Sequence, residues 1–190
     1  MAIRTRHSTE ENTWFITFTC YNWLPLFEKT ESYDLVYNWL KLIDVKYHIK
    51  TFAFVIMPNH VHAILHLPND GLDLNKVVSN GKRFMAYALI DRLKSQKEDG
   101  LLSKLSAACS ELERAKGQIH KVFESSFDAK PIFTLPFLHQ KLDYIHHNPV
   151  SGKWRLCEEY TDYAHSSAAF YIDGKVHEQI AIADYREYWF

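Results

Sequence analysis

Cysteine is scarce in this chain and poorly placed for chemistry. Among 190 residues there are three, Cys20, Cys109 and Cys157, all widely spaced. They form neither a disulfide framework nor a zinc knuckle, which fits a reducing, cytosolic compartment. Long hydrophobic runs are missing as well. Unbroken stretches such as Phe52–Met57, six residues, and Phe84–Ile90, seven, fall short of the roughly 20 needed for a membrane-spanning helix. Residues Met1–His7 are polar and lack the apolar core of a secretory signal. No internal repeat is visible, and neither sign of charge dominates, the net being −1. The charge is uneven, however. Residues 158–190 carry seven acids and two bases, a net of −5, so the other 157 residues net +4. A weakly basic body with an acidic C-terminal tail is compatible with nucleic acid without being diagnostic of it. What is present, 47% hydrophobic and 24% charged residues, describes a globular chain able to bury a core, read as one domain over 1–190.

The most informative stretch is Lys50–Pro68. The apolar, β-branched and aromatic run Phe52–Met57 meets Pro58-Asn59, a turn signal, and a second apolar run, Val61–Leu67, follows at once. This predicts a hairpin over 51–67. His60 and His62 are two apart on its second strand, so both imidazoles point to one face. Such a pair can hold a metal ion when a third ligand arrives from elsewhere. Two histidines two apart also line ordinary polar sheet faces. His66 continues the same face and reads as a sheet histidine rather than a ligand.

Thr13–Tyr21 reads as an earlier strand, with Trp14, Ile16, Phe18 and Cys20 on the core side and Phe15, Thr17, Thr19 and Tyr21 opposite. A loop at Asn22–Pro25 leads to a helix over about Ser32–Tyr47, whose Leu35, Val36, Trp39, Leu40 and Ile43 have helical spacing and read as core. After a loop at Asn69-Asp70-Gly71, a second helix is predicted over Leu74–Lys94, weakened or broken near Gly81. Lys76, Lys82, Arg83, Arg92 and Lys94 decorate it, either as a solvated face or as a track for a phosphate backbone. Lys82 and Arg83 are the DNA-binding candidates there. Residues 97–118, with Leu101, Leu105, Ala108 and Leu112, read as an amphipathic insertion or helical extension. His120–Phe127 is predicted as a fourth strand, and Pro131–Pro136 as a connection.

A last helix, beginning at Phe137, ends where Pro149 forbids its continuation. Leu138, Leu142 and Ile145 should face the core, while Lys141, Tyr144 and Asn148 share a neighbouring flank. Tyr144 and Asn148, one turn apart, can act on the same object. Tyr160–Tyr171 should pack back on the body. The order strand, helix, strand, strand, helix, strand, helix predicts an α+β, ferredoxin-like (split βαβ) antiparallel sheet. Helices should cover one face, the strand of His60 and His62 should be central, and the helix bearing Tyr144 should lie near the open face.

Pro58-Asn59-His60-Val61-His62 followed by Tyr144-Ile145-His146-His147-Asn148-Pro149-Val150 resembles the REP-associated tyrosine transposases, of the single-tyrosine, His-hydrophobic-His endonuclease superfamily. The resemblance runs from about residue 10 to about 171. It includes Gln140-Lys141-Leu142-Asp143 before the tyrosine, and Trp154 and Ser166-Ser167-Ala168 after it. It implies that His60 and His62 are the metal-binding pair and Tyr144 the nucleophile. Asn148 stands where relatives place a polar third ligand, often Gln. It also implies a transposase-type nickase and strand transferase acting on single-stranded, hairpin-associated DNA in a prokaryotic cytoplasm. Magnesium or manganese would be the cofactor. A homodimer exchanging its tyrosine helix, hinged at 131–136, is one known arrangement of the wider superfamily, and a single working chain is another.

The chemistry is consistent with those residues. A divalent cation stabilises charge on a scissile phosphate, and attack by tyrosine stores the bond as a 5′-phosphotyrosine beside a free 3′-hydroxyl. Tyrosine ionises in water only around pH 10, so help is needed, for which Lys141 is a candidate; it serves equally as a plain phosphate contact. Tyr21, Tyr47 and Tyr87 have no comparable surroundings, and His146 and His147 are set aside as ligands. Two other readings remain: a domesticated DNA-binding or regulatory protein whose chemistry has lapsed, and a metallohydrolase using water as nucleophile.

Overall fold

The computed structural model describes residues 12–68 and 71–188. The polar N-terminal segment and the expected loop residues Asn69 and Asp70 lie outside them. Among the described residues, four strands form one antiparallel sheet in the order β2-β3-β1-β4: β1 (Thr13–Thr19), β2 (Lys50–Met57), β3 (His60–His66) and β4 (Asp128–Pro131). The expected hairpin is β2-β3, and β3 is internal.

Alternation decides what each face carries. Trp14, Ile16 and Phe18 of β1, Phe54 and Ile56 of β2, and Val61, Ala63 and Leu65 of β3 enter one large core. Helices α2 (Tyr33–Tyr47) and α3 (Leu74–Ser95), which follow a short α1 (Leu26–Lys29), cover that face. On the opposite face Phe15, Phe52, Val55, Met57 and Ile64 meet Leu138, Leu142 and Ile145 of α6 (Leu135–His147), as the helical spacing requires. The sheet is therefore covered on both faces, with α6 across the second.

Four expectations about elements are corrected. Helix α3 runs unbroken through Gly81, because this glycine serves close packing: a Cβ there would lie 2.3 Å from the Trp39 indole nitrogen. Residues 97–118 form two short helices, α4 (Asp99–Ala107) and α5 (Glu111–Ala115), instead of one amphipathic stripe. Leu105 is fully buried and Leu112 is exposed. The break falls at Ser110, whose side chain and that of Glu113 form a capping box that starts α5. The fourth strand lies at Asp128–Pro131, after the predicted His120–Phe127, of which only Phe123 bridges to Cys20. A proline is tolerated there because β4 is the sheet edge. Finally, α6 starts at Leu135, before Phe137, because Thr134 caps it and a proline is permitted in a first turn.

The tail packs back as expected and protects an edge. Ile56 N–H donates to His165 O, Ser167 N–H to Phe54 O, Tyr163 Oη to Ile56 O and Tyr171 Oη to Phe52 O. These bonds occupy the outer side of β2, which would otherwise be an unpaired strand edge. A seventh helix, α7 (Ala168–Asp173), follows. The three cysteines are free. No helix among the described residues is long and apolar enough to cross a membrane.

Candidate active site

The antiparallel register places Thr17 opposite His62 and Thr19 opposite His60 on the face that α6 covers. Both imidazoles are buried, at 6% exposure for His60 and 4% for His62, and their ring centroids are 4.7 Å apart. Helix α6 brings Tyr144 to 5.0 Å from the His62 ring. Its neighbour one turn earlier, Lys141, sets its ammonium over the rings of Phe15, Phe137 and Tyr144, at 4.7, 5.3 and 5.5 Å. One turn after Tyr144, half-buried Asn148 sets its side chain beside His60. Tyr144 itself is 49% exposed. Buried imidazoles thus lie beneath a phenol that solvent can reach.

The tautomer of His60 follows from its neighbour. The fully buried Asn59 donates through Nδ2 to the Trp23 carbonyl at 3.0 Å, which turns its Oδ1 toward His60 Nδ1 at 2.7 Å. That nitrogen must carry the proton, which leaves a lone pair on Nε2. His62 has Nδ1 engaged by Thr17 Oγ1 at 2.6 Å, while its Nε2 is buried with no hydrogen-bond partner among the described residues. An orphaned ring nitrogen in a buried site is costly, and it is the arrangement a metal-binding histidine adopts when its other nitrogen is held in place. Burial also keeps both rings neutral, the form that ligates. It lowers His60 to about 4 against the opposing Asn148 hydrogen bond, and it holds His62 well below the usual range with help from the His60 and Lys141 charges. Two imidazole nitrogens and an amide oxygen are a donor set that fits a hard divalent cation. Among the described residues no group of three or more His, Cys, Asp and Glu is placed to hold a metal.

His60, His62, Tyr144, Asn148 and Lys141 are brought together. Lys82 and Arg83 are not. Both are on α3, against the other face of the sheet, and Lys82 is 9% exposed, its ammonium donating to the Glu124 and Ser126 carbonyls. Burial lowers its pKa to about 8, and it reads as an internal tether rather than a phosphate contact. His66 bonds Thr13 Oγ1 and stacks on Phe52, a satisfied sheet histidine. His146 bonds Ser167 Oγ in the interior, and His147 bonds the Asp143 carbonyl within its own helix.

Sequence reasoning missed Asn59, Thr17, Phe15 and Trp23. Alternation put Thr17 and Phe15 on one face, but only the strand register shows that they meet His62, Phe15 by stacking at 5.5 Å. Pro58-Asn59 is a sufficient turn signal, and nothing in it points to a buried amide.

No protein-family model matches the sequence, and neither does any curated protein. The fold is nevertheless one that a tyrosine transposase uses. One solved structure sharing it is a REP-associated tyrosine transposase bound to a REP hairpin, with a TM-score of 0.57 and 19% identity over 88% of this chain and 82% of that one. At that identity the likeness establishes the fold. A candidate transposase from Deinococcus radiodurans R1 aligns over 75% of this chain and 95% of its own at 12% identity. Its TM-score of 0.34 carries no argument.

Proposed function

We propose that this chain is a transposase-type nickase and strand transferase, cutting and rejoining single-stranded, hairpin-associated DNA through Tyr144 on a ferredoxin-like scaffold. The observation that carries this is the reachable Tyr144 ring 5.0 Å from His62, a buried imidazole whose Nε2 has no partner among the described residues. The transposase that shares the fold is bound to a DNA hairpin, which supports DNA as the substrate.

The Tyr144 phenol oxygen attacks phosphorus and the bond from phosphorus to the 3′ oxygen breaks. One strand end leaves as a 3′-hydroxyl and the other stays as a 5′-phosphotyrosine. The phenol gives up its proton and the departing oxygen gains one. Attack by another strand's 3′-hydroxyl reverses the step without an external energy source, since the ester bond is conserved. Lys141 places a cation beside the Tyr144 ring, where it can offset the negative charge that gathers on the transferring phosphate. Phe15 packs edge-on to the same ring at 6.0 Å and limits where it can swing. His60, His62 and Asn148 would hold magnesium or manganese, which when bound supplies charge stabilisation at the scissile phosphate. Thr17 and Asn59 hold the two imidazoles in orientation for it.

The test is incubation with a labelled hairpin oligonucleotide and manganese, run on a denaturing gel. A protein-linked band is expected from the native chain and is lost in Tyr144→Phe and His60→Ala. Cleavage that persists in Tyr144→Phe would instead indicate a hydrolase using water. Binding without cleavage across several hairpins would indicate a lapsed enzyme.

A further inference from the structure

The turn after β1 presents a large aromatic surface beside the imidazole pair, at a conformational cost. Trp23 is 56% exposed. It and its neighbour Asn22 both have left-handed backbones, with φ of 56° and 51°, a region that residues other than glycine enter rarely and never in succession without restraint. The restraints are explicit. The Asn22 N–H donates to Glu124 Oε1 at 2.8 Å, the Trp23 N–H to Cys20 O at 3.1 Å, and Asn59 Nδ2 to the Trp23 carbonyl at 3.0 Å. Asn59 is the residue that also orients His60. One buried amide therefore fixes both the imidazole and the indole. The indole meets the His60 ring edge-on at 5.6 Å, and the row continues through His62 to Tyr144, with centroids 4.7 and 5.0 Å apart.

An exposed tryptophan is unremarkable on its own. This one is held in a strained conformation by the hydrogen bonds that order the site, and such strain collects where function requires it. An open indole face in a row of rings ending at a phosphoryl-attacking tyrosine has the chemistry of an unpaired nucleobase platform, since every base offers a π-face to stack. We infer that Trp23 stacks on an unpaired base flanking the scissile phosphate and so sets the position of the bond presented to Tyr144. The inference rests on the function proposed above.

The test measures binding, without turnover, in chelator. The probe is a fluorescent DNA hairpin with a single-stranded oligo-dT arm, in a series where each arm nucleotide in turn lacks its base. Proteins are the full chain and its Trp23→Ala and Trp23→Phe variants. For the native chain one arm position should stand out, loss of that base weakening binding roughly tenfold. Trp23→Ala should bind the intact arm as weakly as the native chain binds that abasic one, and should no longer sense the missing base. Trp23→Phe should retain most of the affinity and the same sensitive position. If Trp23→Ala binds the intact arm as well as the native chain, or keeps the full abasic penalty, the stacking role is overturned while the nuclease reading stands. If the native chain binds none of the probes, both fall. Thermal unfolding of Trp23→Ala checks that the variant is folded, and the abasic series on the native chain is independent of any variant.

Discussion

Thr17 and Asn59 do for the histidines what the His-x-His spacing cannot do alone. Each engages a ring Nδ1, and each thereby leaves the Nε2 of that ring for another partner. Replacing Thr17 with Val removes the hydroxyl and keeps the shape of the side chain. Manganese affinity of the folded chain, measured by calorimetric titration, should fall about tenfold or more, with unfolding temperature little changed. Unaltered affinity would mean that His62 orients without Thr17. At this scale the sequence was partly legible. His60 could be paired with His62, and Tyr144 with Asn148, because strand alternation and helical spacing reach from residue to face, while the roles expected of them came from the resemblance to tyrosine transposases. Thr17 could not be assigned to His62, because the pairing depends on register between strands 45 residues apart. The charge of Lys82 suggested a surface role, and its burial against the Glu124 and Ser126 carbonyls shows otherwise.

Gly81 and Trp39 show how elements fit together. The indole is 5% exposed, its nitrogen is buried without a hydrogen-bond partner among the described residues, and it lies where a Gly81 side chain would be. Gly81→Ala gains helix propensity but forces α2 from α3. The steric term should win, with a net loss of about 1–3 kcal/mol measured by urea unfolding. A stabilised variant would show that the two helices can part without cost. Glycine in a helical stretch reads as a break because propensity is a local quantity, whereas this glycine answers to a residue on another helix. The same limit explains β4. The buried pair Val122 and Phe123 looks more like a strand than Asp128–Pro131 does, yet the open side of β1 at Trp14–Thr17 pairs with the less apolar segment. Helix α6 was legible in its faces because its stripe is long and regular. Its start was not, because a proline marks a helix beginning as readily as an end.

Across the molecule, buried histidines couple stability to pH. Burial lowers His60 and His146 to about 4, and lowers His62, His66, His165 and His177 as well. An unfolded imidazole takes its proton near pH 6.5. Between there and about 4 the unfolded chain therefore binds more protons, and stability must fall as pH drops through that window. His60 and His146 would each contribute a full loss of roughly 3 kcal/mol. Urea midpoints measured with chelator at pH 7.5, 6 and 5 should decline steadily, and equal midpoints at 7.5 and 5 would refute the coupling. The order of elements was legible at this scale because helical and strand periods alternate cleanly along the chain. The pairing of the tail with β2 was less so, since it runs through backbone groups that any residue supplies. Strands β1 and β3 and helix α6 of one chain bring Thr17, His60, His62 and Tyr144 together.

The most direct test is to locate the covalent bond. The chain is incubated with a hairpin oligonucleotide and manganese, digested with trypsin, and the DNA-linked peptide is sequenced by mass spectrometry. Cleavage after Lys141 and Lys153 releases a peptide, Leu142–Lys153, in which Tyr144 is the only tyrosine. This peptide is expected to carry the nucleotide mass on Tyr144 through a 5′-phosphate. DNA cut with no peptide adduct, or an adduct on any other residue, would contradict it.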